Sequence, residues 1–270
     1  MKHNPGIGAT DDLSLRVSVA TLVRVVFPTE HNNRMLALER KATFHGREER
    51  RIVWAQPFGG AVRIDNSSLL NKITDGFHFD GERSRAERDF RILIRPSDWE
   101  PVKQFCLEHL GNPNDTYIEP APYRELVEEF AETIHVNLQS DQYDFQPMGF
   151  VIENNPVRTD NAEVCGQLTV RLYRIFEARI VDETLCKRML AASQLYSDRD
   201  LGLLAQKDFQ NGGRGRANSI LTLPLNIVTE SYLALAPEMR YRKIVIENHE
   251  LDESVLAVLE GIDVPQYQRL

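Results

Sequence analysis

Four glutamates, Glu125, Glu128, Glu129 and Glu132, recur at spacings of three, one and three in the run Tyr123-Arg-Glu-Leu-Val-Glu-Glu-Phe-Ala-Glu132. In a helix those spacings align four carboxylates along one stripe. Tyr123, Leu126, Val127, Phe130 and Ile134 form the opposing apolar face. Like charges so placed destabilise a helix by roughly 0.2–0.5 kcal/mol per pair in water. A bound divalent cation reverses that sign, and hard ions such as Mg2+ take carboxylate oxygens while leaving positions open for water and substrate phosphate. Spacing alone also fits a solvated acidic face, because glutamate is a good helix former.

Other groups carry weaker chemical signals. Gly212-Gly-Arg-Gly-Arg216 could wrap a phosphate with backbone amides and the guanidiniums of Arg214 and Arg216, or could be a plain connecting loop. Arg83, Arg85, Arg88, Arg91 and Arg95 alternate with Glu82, Glu87 and Asp89, as in a salt-bridged surface or a polyphosphate grip. Trp54 and Trp99 could stack on a base or anchor a core. His78, His109 and His135 read as surface or packing residues. Cys106, Cys165 and Cys186 form no Cys-x-x-Cys pair, which argues against a zinc ribbon or redox motif.

The elements that must position these groups alternate between strand and helix. Leu15 to Phe27, Arg34 to Arg40 and Ile52 to Gln56 read as strands, the last ending at the turn signal Pro57-Phe-Gly-Gly60. Residues 64–120 change character. They open with a polar run from Asp65 to Arg88, then give a strand from Phe90 to Ile94 and a helix from Asp98 to about Leu110, as a small subdomain would. Downstream, strands are expected over Phe145 to Ile152 and Gly166 to Phe176. Short helices are expected over Thr184 to Ala192 and Asp198 to Gln206, and a long helix over Ile220 to Met239, with Pro224 in its first turn. A strand and a helix after Asp252 close the chain. The alternation predicts an α/β sandwich.

Arg124-Glu125-Leu126-Val127-Glu128-Glu129 matches the Arg-Glu-apolar-any-Glu-Glu core of the Nudix box, and Gly60 resembles the glycine that opens that box after a strand. The chain thus resembles the Nudix hydrolase superfamily. The resemblance implies an α/β/α sandwich with a mixed sheet over residues 1–237, an inserted α+β subdomain at about 64–120, and a strand-helix extension over 238–270. It implies Mg2+- or Mn2+-dependent hydrolysis of a phosphoanhydride in a nucleoside diphosphate-linked or nucleotide compound. Glu125, Glu128 and Glu129 would be the metal ligands, Arg124 would hold a ligand glutamate, and Gly59 and Gly60 would shape the turn beside the diphosphate. Glu128 or Glu129 could serve as the base, with Glu153 and Glu163 as alternatives from a later loop. The sequence departs from the family in three places. Gly60 and Arg124 are separated by 63 residues, where the family has thirteen. Thr116 stands where the first box glutamate belongs. Ala131 and Glu132 replace the closing glycine and apolar residue. These departures leave a catalytically weak or inactive nucleotide sensor as the alternative.

Composition bounds the partners. With 32 basic and 40 acidic residues the net charge is −8, which disfavours nucleic acid but not a nucleotide bound through a cation. No apolar run approaches the ~20 residues of a membrane span. No signal-peptide stretch opens the chain, so a cytoplasmic location is expected, and the apolar content of the C-terminal stretch could support a homodimer.

Overall fold

The computed structural model describes residues 15–29, 33–112, 114–119, 122–159, 164, 166–240, 242–259 and 267–269. In chain order the elements are β1 (Leu15–Pro28), β2 (Arg34–His45), β3 (Arg50–Gln56), β4 (Phe58–Ala61), β5 (Arg63–Ile64), α1 (Leu70–Ile73), β6 (His78–Phe79), α2 (Glu82–Glu87), β7 (Arg91–Ile94) and α3 (Trp99–His109). They continue with β8 (Ile118–Glu119), α4 (Pro122–Ile134), β9 (Tyr143–Arg158), β10 (Leu168–Ile180), α5 (Glu183–Ser193), α6 (Asp198–Gln210), β11 (Arg216–Pro224), α7 (Leu225–Leu233), β12 (Ile244–Ile246), β13 (His249–Leu251) and β14 (Tyr267–Arg269). The sheet is mixed and carries helices on both faces, so the chain belongs to the α/β class.

β1 organises the sheet. One edge runs parallel to β10 from Arg16 to Val26. Its other edge is divided among three antiparallel partners: β7 along Leu15–Ser18, β4 along Ala20–Val23 and β2 along Val25–Pro28. A strand paired on both edges and covered on both faces must be apolar almost throughout, and Leu-Arg-Val-Ser-Val-Ala-Thr-Leu-Val-Arg-Val-Val-Phe is nearly so. Because successive side chains point to opposite faces, neighbouring residues enter different cores. Val23, Val25, Phe27, Ala37 and Ile220 pack with Leu126, Phe130 and Ile134 of α4 and with Leu185 and Met189 of α5. Val26, Leu36, Leu38, Leu221 and Leu223 pack instead with Val228 and Tyr232 of α7 and with Val255 and Leu256 of a closing 3-10 turn. α6 lies on that second face, its Leu201 and Ala205 against Ala42.

The segment 64–120 joins the sheet rather than standing apart from it. β7 adds to β1, and Ile64, Leu70, Phe90, Ile92, Val102, Phe105 and Ile118 share a core with Leu15, Val17, Val19, Val170 and Leu172. Its two ends meet: β5 and β8 pair antiparallel, Arg63 opposite Glu119 and Ile64 opposite Ile118. The intervening chain is therefore looped out without separating what comes before from what comes after. Past residue 238, β13 adds in parallel to β3 and β14 pairs with β9.

The long helix expected over Ile220 to Met239 is a strand followed by a shorter helix. Residues 216–224 pair in register with β2, and Ile220, Leu221 and Leu223 distribute between the two faces as strand residues do. Pro224 caps α7 from the non-helical side, at φ −59° and ψ 123°. Proline has no N–H for a helix interior, so the boundary falls there. Among the described residues no helix is long and apolar enough to cross a membrane.

Candidate functional site

α4 starts at Pro122, a residue suited to the first helical position because its missing N–H is unneeded there. Leu126, Phe130 and Ile134, four residues apart, are buried. The Phe130 ring packs on Phe58 of β4 at a centroid distance of 5.0 Å. Anchoring that stripe turns the carboxylates toward the place where β4 and β2 follow one another along the same edge of β1. Arg124 Nη1 lies 2.9 Å from Glu128 Oε2 and Nη2 lies 2.6 Å from Glu125 Oε1, so one guanidinium clasps two glutamates of the ridge.

The glycine pair meets the helix directly. The Gly59 N–H donates to Glu129 Oε2 at 2.7 Å. A Cβ on Gly60 would lie 3.1 Å from Glu125 Oε2. Gly59 has φ +122°, and a Cβ there would lie 2.1 Å from the Thr21 carbonyl oxygen. Glycine is the residue that tolerates both that conformation and that approach. The 63 residues between Gly60 and Arg124 do not disturb this junction, because β5 and β8 close the excursion at its base.

Beneath the helix, β2 supplies a polar floor that inspection of the sequence did not single out. Glu39 is fully buried. Its Oε2 lies 2.6 Å from Lys41 Nζ and accepts from Gln56 Nε2 at 3.3 Å. Lys41 Nζ lies 3.8 Å from Glu129 Oε1. From β11, Asn218 Nδ2 donates to Glu132 Oε2 at 3.3 Å. The available signal was Glu39-Arg-Lys41, three successive charges inside an otherwise apolar strand. Only strand register reveals that the first and third face α4.

Burial pushes the Glu129 carboxyl well above the usual carboxylate range. The neighbouring Glu39 charge adds to the shift, while Lys41 and the Gly59 amide oppose it. Glu125 is also raised, chiefly by burial, against the pull of Arg124. The folded Glu129 thus keeps a proton where the unfolded glutamate, with a pKa of about 4.3, has lost it. Between those two values the native state binds more protons, so stability falls as pH rises. Glu129→Gln removes the titration yet keeps an oxygen for the Gly59 amide. It is expected to flatten the dependence of the urea midpoint on pH above about 4.3. An unchanged slope would show that Glu129 is not the group responsible.

Glu125, Glu128 and Glu129 share one ridge. Among the described residues, however, no group of three or more His, Cys, Asp or Glu side chains converges as if to hold a metal ion. Arg124 stands between the first two, and the third turns in toward Gly59. The donor chemistry fits a hard cation, since all three offer carboxylate oxygens. Glu128, with its side chain 54% exposed, is held by Arg124 alone among the described residues.

The glycine-rich loop after α6 wraps a carboxylate of its own. The amides of Gly215 and Arg216 donate to Asp208 Oδ2 at 2.9 and 3.2 Å, and the Gly213 amide donates to the Asp208 carbonyl at 2.9 Å. The amides expected to cradle phosphate are therefore occupied. Arg214 is exposed. Arg216 opens β11 opposite Thr43, in line with Asn218 on the face that α4 covers. Asp208→Ala is expected to lower stability by about 1.5–3 kcal/mol, as loss of hydrogen bonds to a charged group does, read as a drop in the urea midpoint. No change would mean the amides find equivalent partners in water.

Glu153 is a correction to the list of candidate bases. It is fully buried on β9 and paired with Arg171 at 2.7 Å. Arg171 in turn holds Glu253. The pair shares the sheet face of Tyr173 and Ile175, opposite to α4, because β9 and β10 align Glu153 with Arg171. Glu163 and Cys165 lie outside the described residues. Trp99 is buried in the core of the 64–120 segment. Arg83, Arg91 and Arg95 there pair with Glu87, Asp89 and Asp75, the salt-bridged arrangement rather than an open basic patch. No protein-family model, no curated protein and no solved structure matches the chain.

Proposed function

We propose that the protein is a divergent Nudix-type hydrolase that cleaves a phosphoanhydride in a nucleotide or nucleoside diphosphate-linked compound, with α4 and the Gly59–Gly60 turn as its centre. The observation that carries this proposal is the meeting of those two segments across 63 intervening residues, the Gly59 amide 2.7 Å from Glu129. A solvated acidic helix has no need of a glycine turn pressed against its carboxylates. The helices on both faces of a mixed sheet support a Nudix-like α/β/α sandwich, with the 64–120 segment as an α+β insertion closed at β5 and β8.

Glu125, Glu128 and Glu129 would hold Mg2+ or Mn2+. When bound, the ion neutralises diphosphate charge and lowers the pKa of a coordinated water. Arg124 holds Glu125 and Glu128 in position along the ridge. Glu128, the more exposed of the three, takes the proton from the attacking water. Lys41 offers an ammonium to the phosphate oxygens from the sheet side. The 64–120 segment covers the same sheet face beside α4 and restricts which leaving groups fit.

Binding of Mn2+ followed by water-proton relaxation tests the metal centre independently of the substrate. Saturable binding that weakens in Glu125→Gln is expected. A folded protein that binds no Mn2+, with or without a nucleotide, would remove the basis of the proposal. The clasp of Arg124 on Glu125 and Glu128 favours one second reading, a nucleotide sensor that binds without cutting. Nucleotide affinity in the absence of any turnover selects that reading.

A further inference from the structure

We infer that Trp54 is the platform on which the planar base of the substrate stacks, with the phosphates reaching from it toward α4. The inference rests on the nucleotide chemistry proposed above and names the residue that recognises the base. Strand register places Asn218, Lys41 and Trp54 in one row across β11, β2 and β3. Directly opposed residues in antiparallel strands point to the same face, so Trp54 shares the face of Lys41 and Asn218. Both of those touch α4 carboxylates, Lys41 at 3.8 Å from Glu129 and Asn218 at 3.3 Å from Glu132. Adjacent strands lie about 4.8 Å apart. Trp54 therefore stands one strand beyond Lys41, and about two strand spacings from Asn218, along the sheet from the carboxylates. That layout orders a ligand as base, then linker, then phosphate.

The indole is built to be presented rather than packed. Its N–H is already committed to Gln56 Oε1 at 3.1 Å, which fixes the plane of the ring. Gln56 is itself tied to Glu39 at 3.3 Å, so the platform and the carboxylate floor form one hydrogen-bonded unit. Trp54 is only half-buried and, among the described residues, enters none of the buried clusters, whereas Trp99 lies within one. Lys243 Nζ, paired with Glu250 at 3.0 Å, lies over the ring at 5.9 Å from its centroid, at the outer reach of a cation–π contact. A half-buried aromatic side chain one strand from the Lys41 ammonium and the carboxylate ridge is the combination that binds a base at one end and a metal-bridged diphosphate at the other. Every base has a π-face, so the platform is sequence-tolerant.

The test is a fluorescence and calorimetric titration of the full-length protein with ADP, GDP, CDP and UDP, and with inorganic pyrophosphate as a base-free probe. Saturable quenching by at least one nucleoside diphosphate and none by pyrophosphate is expected. Trp54→Ala is expected to weaken that nucleotide by about 5–150-fold, the range that loss of one base stack produces, with pyrophosphate affinity unchanged. Trp54→Phe is expected to recover most of the loss, which separates stacking from a folding defect. Equal affinity of wild type and Trp54→Ala for every nucleotide, or no advantage of any nucleotide over pyrophosphate, would overturn the inference. The two proposals fail separately. Base-dependent binding at Trp54 without turnover sinks hydrolysis alone, and turnover with a KM indifferent to Trp54→Ala sinks the platform alone.

Discussion

Replacing Glu128 with glutamine is expected to lower metal-dependent turnover by about 10²–10⁴-fold, the contribution of a positioned general base, while leaving the fold nearly as stable as wild type. The two halves of that expectation come from different facts. Glu128 stands on the carboxylate ridge but points outward, its side chain 54% exposed and, among the described residues, paired only with Arg124 at 2.9 Å. An exposed i,i+4 pair on a helix contributes roughly 0.3–0.5 kcal/mol, so a thermal shift of a degree or two is the largest effect on stability. Glutamine keeps the size and the helix propensity and loses the proton acceptor and the charge. Activity and stability should therefore part company at this residue. A variant that keeps full turnover would move the base elsewhere, with Glu129 next in place. A variant that unfolds would assign Glu128 a structural role that its exposure gives no reason to expect.

Gly59→Ala is expected to act in the opposite sense, through the fold first. The residue sits at φ +122°, and the added methyl would be driven to 2.1 Å from the Thr21 carbonyl oxygen on β1. Backbone strain of about 1–3 kcal/mol and overpacking of about 1–3 kcal/mol combine to a loss of roughly 2–6 kcal/mol, against a total stability of about 5–15 kcal/mol. The methyl must be relieved by moving β4 away from β1. That motion also withdraws the Gly59 amide from Glu129 and exposes the Phe58–Phe130 contact. Chemical denaturation should show the loss in the midpoint, and Mn2+ affinity of the fraction that remains folded should fall with it. A loss below about 1 kcal/mol would mean that the β4 backbone relaxes freely, and that the glycine is not what sets the distance between turn and helix.

What could be read from the sequence was local. The apolar residues of α4 repeat at helical spacing, so its extent and its acidic ridge followed from the pattern. The valine-rich run of β1 and the capped helices α5 and α6 were legible for the same reason. Pattern was not enough at β11, where Ile220 to Leu223 suits either period, and pairing with β2 decides the outcome in favour of a strand. Glu39, Lys41 and Asn218 could not be assigned to the site, since nothing in the chain states which strand faces which helix. Their role appears only when β2 and β11 come into register beneath α4. The 64–120 segment was visible as a change in composition. The short β5–β8 pair that makes it harmless to the junction of Gly60 and Glu125 is two residues long on each side, too short to leave a pattern. The glycine-rich loop shows the opposite failure. Its composition suggested a phosphate cradle, yet Asp208, five residues ahead of Gly213, supplies the anion from within the chain.

The most direct test of the central claim is release of phosphate and nucleotide from nucleoside triphosphates, ADP-ribose, NAD, dinucleoside polyphosphates and nucleotide sugars, with Mg2+ or Mn2+ and with each ion removed by chelation. The account predicts turnover of at least one of these compounds that requires the metal and falls away in Glu128→Gln. Metal-independent turnover, turnover undiminished in Glu128→Gln, or a folded, Mn2+-binding protein that cuts none of them would contradict it.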